Sequence, residues 1–229
     1  VEMYSAEKGG EGMQLGLFLE SEKPVRKVFL KDFMIDKYEV TNGEYSKFCK
    51  ATKHQFPAVW VRGEIPEGRE NFPVNNITWF DASEYCSWLK KRLPKEEEWE
   101  KAARGSVGRR YPWGDEFDIK KANVNLGDTL AVGSMPEDRS EYGVYDMAGN
   151  VMEWTVSWYR AYPGSTLESE EFGVVNRVLK GWSGTDAGHF GNPEIFSRSS
   201  SRHFYLPFGY GDDIGFRCVS TVIDNPGQN

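Results

Sequence analysis

The chain has 229 residues, which is enough for one sizeable domain or two small ones. An apolar content of 39% with 14% aromatic residues supports a packed core and argues against wholesale disorder. The formal net charge of −7 argues against a nucleic-acid-binding protein. No apolar run reaches the ~18 residues of a membrane-spanning helix.

Three short helices are predicted in the first half of the chain. In TNGEYSKFCKAT, Thr41 and Glu44 fit a capping box and apolar residues follow at helical spacing. TWFDASEYCSWLKKR repeats this pattern and places Cys86 on the apolar face of its helix. LPKEEEWEKAARG predicts a third helix, with Pro94 near its first turn and Gly105 as its stop.

Short strands are predicted before and after these helices. Residues 27–40, KVFLKDFMIDKYEV, predict one or two early strands, and EWTVSWY and NRVLKGW predict later ones. The second half is otherwise rich in glycine, proline and aromatic residues, which is typical of structured loops. Because no repeat or linker divides the chain, we expect one α+β domain over residues 1–229.

Six segments occur in the order found in the formylglycine-generating enzyme (sulfatase-modifying factor) family: DKYEVTNGEY, PVNNITWFDASEYCSWLKKRLPKEEEWEKAARG, YPWGDEF, SEYGVYDMAGNVMEWT, RVLKGWSG and IGFRC. The resemblance extends from about Val28 to Val219. It implies a variant of the C-type lectin fold, with two or three helices on small antiparallel sheets and much irregular loop.

The enzymes of that family oxidise a substrate cysteine to formylglycine with oxygen, copper and two cysteines of their own. The resemblance places these cysteines between Gly181 and Arg217, an interval that contains no cysteine here. The matching positions fall at Glu194 and near Asp186 or His189. Since neither carboxylate nor imidazole can act both as a soft copper ligand and as a redox partner, we expect no formylglycine generation and no copper.

Two calcium sites are common in the family, and the resemblance implies both. The first would use the side chains of Asp146 and Glu153 with the carbonyls of Gly149 and Val151. The second would use Asn123, the carbonyl of Val124 and a downstream aspartate, for which Asp128 is the candidate. Because hard oxygen ligands suit Ca²⁺, we expect a structural ion with no catalytic role. The alternative is that Asp146 and Glu153 only cap turns.

Three cysteines are too few for a disulfide scaffold and lack the spacing of zinc ligands. The resemblance implies a disulfide between Cys86 and Cys218, with two reduced buried thiols as the alternative. Cys49 has no matching partner and is expected to be a small buried residue. Six tryptophans are expected to pack in the core and loops rather than to form a ligand cage: Trp79, Trp88, Trp99, Trp113, Trp154 and Trp158.

The segment HFYLPFGYGDD follows Arg198 and Arg202, which match a pair of arginines in the family. It has neither strand alternation nor a helical period, and its composition is that of paratope loops. Every residue from Ser199 to Asp213 can arise by mutating the adenines of an AAC codon. Variable proteins of diversity-generating retroelements, which resemble this family, change in that way. Glu194 cannot arise by mutating the adenines of an AAC codon, so not all of the interval can be variable.

We therefore predict a non-catalytic ligand-binding protein whose C-terminal segment, whether or not a retroelement diversifies it, contacts an unknown protein or surface ligand. The predicted contact residues are Trp182, Asp186, His189, Phe190, Asn192, His203, Phe204, Tyr205, Phe208, Tyr210 and Asp212. An extracellular or surface-displayed protein is favoured, although the sequence does not fix the compartment.

The alternative is an enzyme or maturation accessory factor of the same superfamily that lacks the catalytic cysteines. Its acid–base candidates are His189, His203, Asp186 and Glu194. If the protein binds a ligand, we expect the contact side chains on an open surface. If it is an enzyme, we expect a deep pocket in which a carboxylate lies within hydrogen-bond reach of an imidazole.

Overall fold

The computed structural model describes residues 10–124, 126–185 and 192–222, with the backbone alone for residues 10–14. Its α-helices are α1 (Gly10–Ser21), α2 (Asn42–Thr52), α3 (Trp79–Trp88), α4 (Glu96–Arg104) and α5 (Pro193–Phe196). Its strands are β1 (Phe33–Ile35), β2 (Met152–Trp158), β3 (Arg177–Lys180), β4 (His203–Tyr205), β5 (Ile214–Gly215) and β6 (Val219–Thr221). No helix in these ranges is long and apolar enough to cross a membrane.

The three predicted helices are confirmed as α2, α3 and α4. At the start of α2, the Thr41 hydroxyl accepts from the Glu44 N–H, and the Glu44 carboxylate accepts from the Thr41 N–H. Thr78 and Asp81 form the same reciprocal cap at the start of α3. These local bonds satisfy backbone donors that have no partner within the helix, so the boundaries follow from local sequence.

Two helices were not predicted. In α1, Leu15, Phe18 and Leu19 recur at helical spacing, but Gly10 and Gly16 lower the local helix propensity. The packing of Leu15 and Phe18 on the core stabilises α1 instead. The single turn of α5 has no apolar period of its own.

The strands form two sheets. β1 pairs with β6 antiparallel, and a four-stranded sheet has the order β4-β3-β2-β5. The expectation of antiparallel sheets is wrong for one pair, because β5 runs parallel to β2. The chain leaves β4 at one edge of the sheet and crosses to the other edge, so it enters β5 in the direction of β2. The early segment 27–40 forms only the three residues of β1.

The disulfide implied by the resemblance is present. Cys86 of α3 and Cys218, which precedes β6, are bonded across a sequence separation of 132 residues. Cys49 is free and buried, as expected. The bridge therefore fastens the C-terminal strand to a helix from the first half of the chain.

A buried ion pair lies beside this bridge. Arg217 and Glu153 are both inaccessible to solvent, and the guanidinium donates to both carboxylate oxygens at 2.6–2.9 Å. Burial lowers the pKa of Arg217, but the charge and hydrogen bonds of Glu153 outweigh burial and raise it above its usual value. Further bonds join the pair to the Trp99 indole N–H and to the backbone carbonyls of Asp36, Lys37 and Tyr145. The pair therefore ties β2, α4 and the early loop to the C-terminus.

Removal of the disulfide in C86A/C218A is expected to lower the free energy of unfolding by ~4–5 kcal/mol, since a bridge over so long a loop restricts the unfolded chain. Urea unfolding without reductant measures the change. C49A is the control, because it removes a buried thiol and leaves the bridge intact. Equal stability of C86A/C218A and C49A would contradict the prediction.

Replacement of Glu153 in E153Q leaves the Arg217 charge buried without its counter-ion, so we expect a loss of about 3–5 kcal/mol of stability. E20Q, which breaks the exposed pair of Glu20 and Lys23, is the matched control and is expected to cost ~0–1 kcal/mol. Equilibrium denaturation of both variants checks the prediction, and similar small losses would argue against it.

Candidate ligand-binding site

The two arginines that match the family pair hold the N-terminal segment against the C-terminal one. Arg198 donates to the carboxylate of Glu22 at 2.6 and 3.0 Å. Arg202, which is fully buried, donates to the carbonyl of Ser21 at 2.8 Å and to the carboxylate of Glu96 at 2.8 Å. The end of α1 is therefore fixed to the predicted contact segment.

This attachment places α1 over part of that segment. The ring of Phe18 lies 5.7 Å from the rings of both His203 and Phe204 and 5.6 Å from that of Phe196. His203 is 6% exposed and Trp182 is 2% exposed. The expectation that every contact residue faces open solvent is therefore wrong for Trp182 and His203, and Phe204 is half-buried. Phe18 of α1, a helix that the sequence does not predict, covers His203 and Phe204, whereas Trp182 stacks on Phe196 with ring centroids 5.0 Å apart.

A cavity of about 340 Å³ lies between α1 and the four-stranded sheet. Leu17 and Phe18 form its wall on the α1 side, while His203, Glu171 and Asp213 supply polar groups. Its volume is at the lower end of the range for small-molecule sites. This cavity is the feature that corresponds to the pocket expected of an enzyme.

Glu194, another acid–base candidate, is not among the residues that line this cavity. Glu194 is exposed, and its backbone carbonyl accepts from the Tyr111 hydroxyl at 2.6 Å. Asp186, His189 and Phe190 lie outside the described residues. Asn192, another predicted contact residue, is half-buried and its side chain caps α5.

The other predicted contact residues are displayed. Tyr205 is 42% exposed, Phe208 65% and Tyr210 54%, and Asp212 is also exposed. Tyr205 ends β4, and the other three residues lie in the short loop that follows it. The C-terminal segment is thus divided into a half beneath α1 and a half that faces solvent.

Hydrogen bonds fix the backbone of the displayed loop. Its carbonyls accept from the backbone N–H of Trp79 and Asn76 and from the side chain of Asn75, at 2.7–3.1 Å. Gly209 lies against the Tyr205 ring, where an added Cβ would be 2.2 Å from the nearest ring carbon. The glycine therefore lets the loop pass over the ring, and the exposed side chains stand on an anchored backbone.

An arginine lies beside this loop. Trp158, Arg177 and Tyr205 are paired across β2, β3 and β4, and directly opposed residues of antiparallel strands share one face. Trp79 covers the guanidinium from α3, with its ring centroid 3.9 Å from the guanidinium carbon, and Trp158 does so at 3.4 Å. We call Trp79, Trp158, Arg177, Tyr205 and Phe208 the Arg177 surface.

Arg177 has no ion pair among the residues that the structure describes. One amino group donates to the Val156 carbonyl at 2.6 Å, while the Nε–H has no acceptor in the same ranges. Burial lowers the pKa of Arg177 to about 10. Sequence reasoning had assigned Trp79 and Trp158 to packing; both do pack, but on this arginine and while half-exposed.

The expected calcium ligands fall into two groups. Both oxygens of Glu153 accept from Arg217, and Asp146 accepts from the Gly133 N–H at 2.6 Å. As arranged, Glu153 therefore offers no free carboxylate, and this first set does not fit a calcium ion. No three His, Cys, Asp or Glu side chains converge on a metal position within the described ranges.

Asn123 differs from that group. Its side-chain nitrogen donates to the Asn150 side chain and to the Asp128 carbonyl, both at 3.0 Å. Its side-chain oxygen is buried and has no hydrogen-bond partner among the described residues. A buried acceptor without a donor is unfavourable unless something else satisfies it. Asn123, unlike Glu153, thus fits a hard cation.

Three buried acids lie around these loops. Burial and the nearby charge of Asp146 raise the pKa of Asp138 to about 8, and burial raises the pKa of Asp146 to about 6. Burial likewise raises the pKa of Glu39, together with the charges of Asp146 and Glu153. The positive charge acting on all three is that of Arg217. This region therefore carries more buried acid than base.

Known proteins resemble this chain in sequence over most of its length. The chain is 31% identical to inactive C-alpha-formylglycine-generating enzyme 2 of Bos taurus, over 91% of the chain and 84% of that protein. It is 35% identical to serine/threonine-protein kinase Pkn1 of Chlamydia trachomatis serovar L2, over 96% of the chain but only 38% of the kinase.

Solved structures share the fold. PvdO from Pseudomonas aeruginosa superposes with a TM-score of 0.71 at 29% identity, over 89% of this chain and 86% of PvdO. Treponema denticola variable protein 1 has a TM-score of 0.64 at 21% identity, over 83% and 84% of the two chains. The expected C-type lectin-like fold is confirmed. The family model described as sulfatase-modifying factor enzyme 1-like domain matches residues 2–222, so the chain belongs to the sulfatase-modifying factor family.

Proposed function

We propose that this chain is a non-catalytic ligand-binding member of its family and that the loop from Tyr205 to Asp212 contacts the ligand. One observation carries the proposal: three aromatic side chains of this loop face solvent while hydrogen bonds anchor its backbone. Aromatic side chains give large contact area for few rotatable bonds, and an anchored backbone loses little further entropy on binding.

The cysteine inventory supports the absence of formylglycine chemistry. Cys86 and Cys218 are bonded to each other, and Cys49 is buried. Burial raises the pKa of the Cys49 thiol to about 11, which disfavours the reactive thiolate. A relative whose name calls it inactive, at 31% identity, agrees with this proposal.

The partner we propose is a protein or another surface ligand. A disulfide over 132 residues is typical of oxidising compartments, so we place the protein outside the cytosol, at a surface or in the extracellular space. Diversification of the loop by a retroelement is part of the same proposal; its support is the run of reachable residues from Ser199 to Asp213.

A second candidate function is an enzyme or accessory factor that uses the cavity beneath α1. The observation in its favour is that His203, Asp213 and Glu171 line the cavity. An imidazole with carboxylates in a partly open cavity is suited to acid–base chemistry. The two candidates share Tyr205, which also lines the cavity, and otherwise use different parts of the C-terminal segment.

A phage-displayed library of random peptides, selected on the disulfide-intact chain, tests the binding function. We expect the selected peptides to lose roughly tenfold or more in affinity for Y205A/F208A, because aromatic anchors carry much of the binding energy of an interface. Fluorescence anisotropy with synthetic peptides measures the affinities. Peptides that bind this variant as tightly as the unaltered chain would overturn the proposal.

Two further variants serve as controls. Y142A removes another exposed ring, away from the loop, and is expected to leave the affinity unchanged. L17W fills the cavity beneath α1 from its α1 wall and leaves the residues of the loop unchanged. Loss of affinity in L17W alone would favour the second candidate function instead.

We also propose a structural calcium ion held by the side-chain oxygen of Asn123 and the carbonyl of Val124. The unpartnered oxygen of Asn123 and the surplus of buried acid support it. Such an ion would supply positive charge that orders the adjoining loops. It would have no part in ligand chemistry.

Calcium is expected to raise the thermal unfolding temperature relative to the chelated protein, since a ligand that binds only the folded state stabilises it. Differential scanning calorimetry with calcium, with magnesium and with chelator makes the measurement. N123A should remove the calcium-induced rise, whereas E153Q should retain it. An unchanged unfolding temperature, together with no heat of calcium binding, would rule the ion out.

A further inference from the structure

The Arg177 surface combines a cation without a carboxylate partner and exposed aromatic rings. In a chain of net charge −7, the described ion pairs satisfy other buried or half-buried arginines: Arg92, Arg198, Arg202 and Arg217 each bond a glutamate. Arg177 instead lies between two indole rings. Its charge is thus available to a ligand.

The rings restrict how a ligand can reach this charge. Trp79 and Trp158 each turn a face to the guanidinium at 3.9 and 3.4 Å, which leaves no room for a group to stack between them and Arg177. Because Nε is buried, a ligand must therefore approach the edge formed by the two terminal amino groups, one of which also donates to the Val156 carbonyl. A planar carboxylate matches that edge by accepting two parallel hydrogen bonds.

The surroundings of the edge are apolar. Tyr205 is opposite Arg177 in the sheet register, and Phe208 belongs to the loop whose Pro207 carbonyl accepts from the Trp79 N–H. Both rings are exposed. A ligand carboxylate bound to Arg177 would therefore have these rings beside it, where an aromatic or aliphatic group could pack.

Resting on the proposed binding function, we propose that the Arg177 surface recognises an acidic peptide segment, in which an aspartate or glutamate binds Arg177 and a neighbouring apolar side chain packs on Tyr205 and Phe208. The face of each indole that Arg177 occupies cannot stack on a sugar ring. A doubly charged phosphate would suffer more repulsion from this acidic chain than a single carboxylate does.

The lowered pKa of Arg177 agrees with this assignment. Its cause is burial alone, and no nearby carboxylate opposes the shift. Since part of the desolvation has already been incurred on folding, a carboxylate that reaches the guanidinium gains an attraction that is less screened by water than at a fully exposed arginine.

The peptides selected on the unaltered chain test the inference directly. We expect them to be enriched in Asp and Glu relative to the unselected library, and to bind roughly tenfold or more weakly when that acid is changed to its amide. High salt should weaken the acidic peptide and leave the amide peptide nearly unaffected. These readouts need no protein variant, so they do not depend on the folding of an Arg177 mutant.

Protein variants assign the effect to one side chain. In R177M the difference between the acidic and the amide peptide should disappear, while R177K should retain part of it. R139M is the matched control, because Arg139 is also an arginine over an aromatic ring, Tyr145, and is exposed. It should leave the difference unchanged.

The outcomes separate this inference from the proposed function. Peptides that need Tyr205 and Phe208 but show no acidic enrichment and no dependence on Arg177 would overturn the inference and leave the binding function intact. Peptides that are indifferent to both rings and to Arg177 would overturn both. Acidic peptides that respond equally to R177M and R139M would indicate non-specific attraction and refute the assignment to Arg177.

Discussion

The buried ion pair of Arg217 and Glu153 is the contact on which the arrangement of the chain depends. Two charges out of water are tolerated only when their hydrogen bonds are satisfied, and here the donors and acceptors come from five separate parts of the sequence. With the disulfide at the next residue, the pair fixes the position of the C-terminal strand. The segment between β4 and β6 is consequently held at its C-terminal end by the ion pair and the disulfide. The pairing of β4 with β3 holds its N-terminal end.

The division of the C-terminal segment follows from a second set of polar contacts. Arg198 and Arg202 bond Glu22 and the Ser21 carbonyl, so α1 lies on the half that contains His203. The other half extends past the reach of α1 and is anchored by the residues around Trp79. One continuous stretch of sequence thereby yields an enclosed cavity and an exposed surface, which explains why two kinds of function are compatible with it.

The Arg177 surface and the cluster of buried acids around Glu39 and Asp138 have opposite imbalances of charge. Around Glu39 and Asp138, acid is buried in excess of base, and the raised pKa values express the cost of ionising it there. The guanidinium of Arg177 has no carboxylate partner among the described residues, and the indole faces of Trp79 and Trp158 partly replace that counter-ion. A cation in the first place and a carboxylate in the second would each relieve such an imbalance.

The sequence by itself determined the elements that local bonds define. Thr41 with Glu44 and Thr78 with Asp81 place two helices, and the ordered segments together with Cys86 and Cys218 indicate the family and its disulfide. The sequence could not predict α1, because tertiary packing of Phe18 stabilises that helix rather than its own propensity. Nor could it predict that β5 is parallel to β2, because that direction depends on the chain crossing from one edge of the sheet to the other. Only the tertiary structure decided that His203 is covered, that Phe208 is exposed, and that Trp79, Trp158 and Arg177, distant along the chain, meet. Burial and stacking are properties of pairs of segments, and no pattern within one segment specifies them.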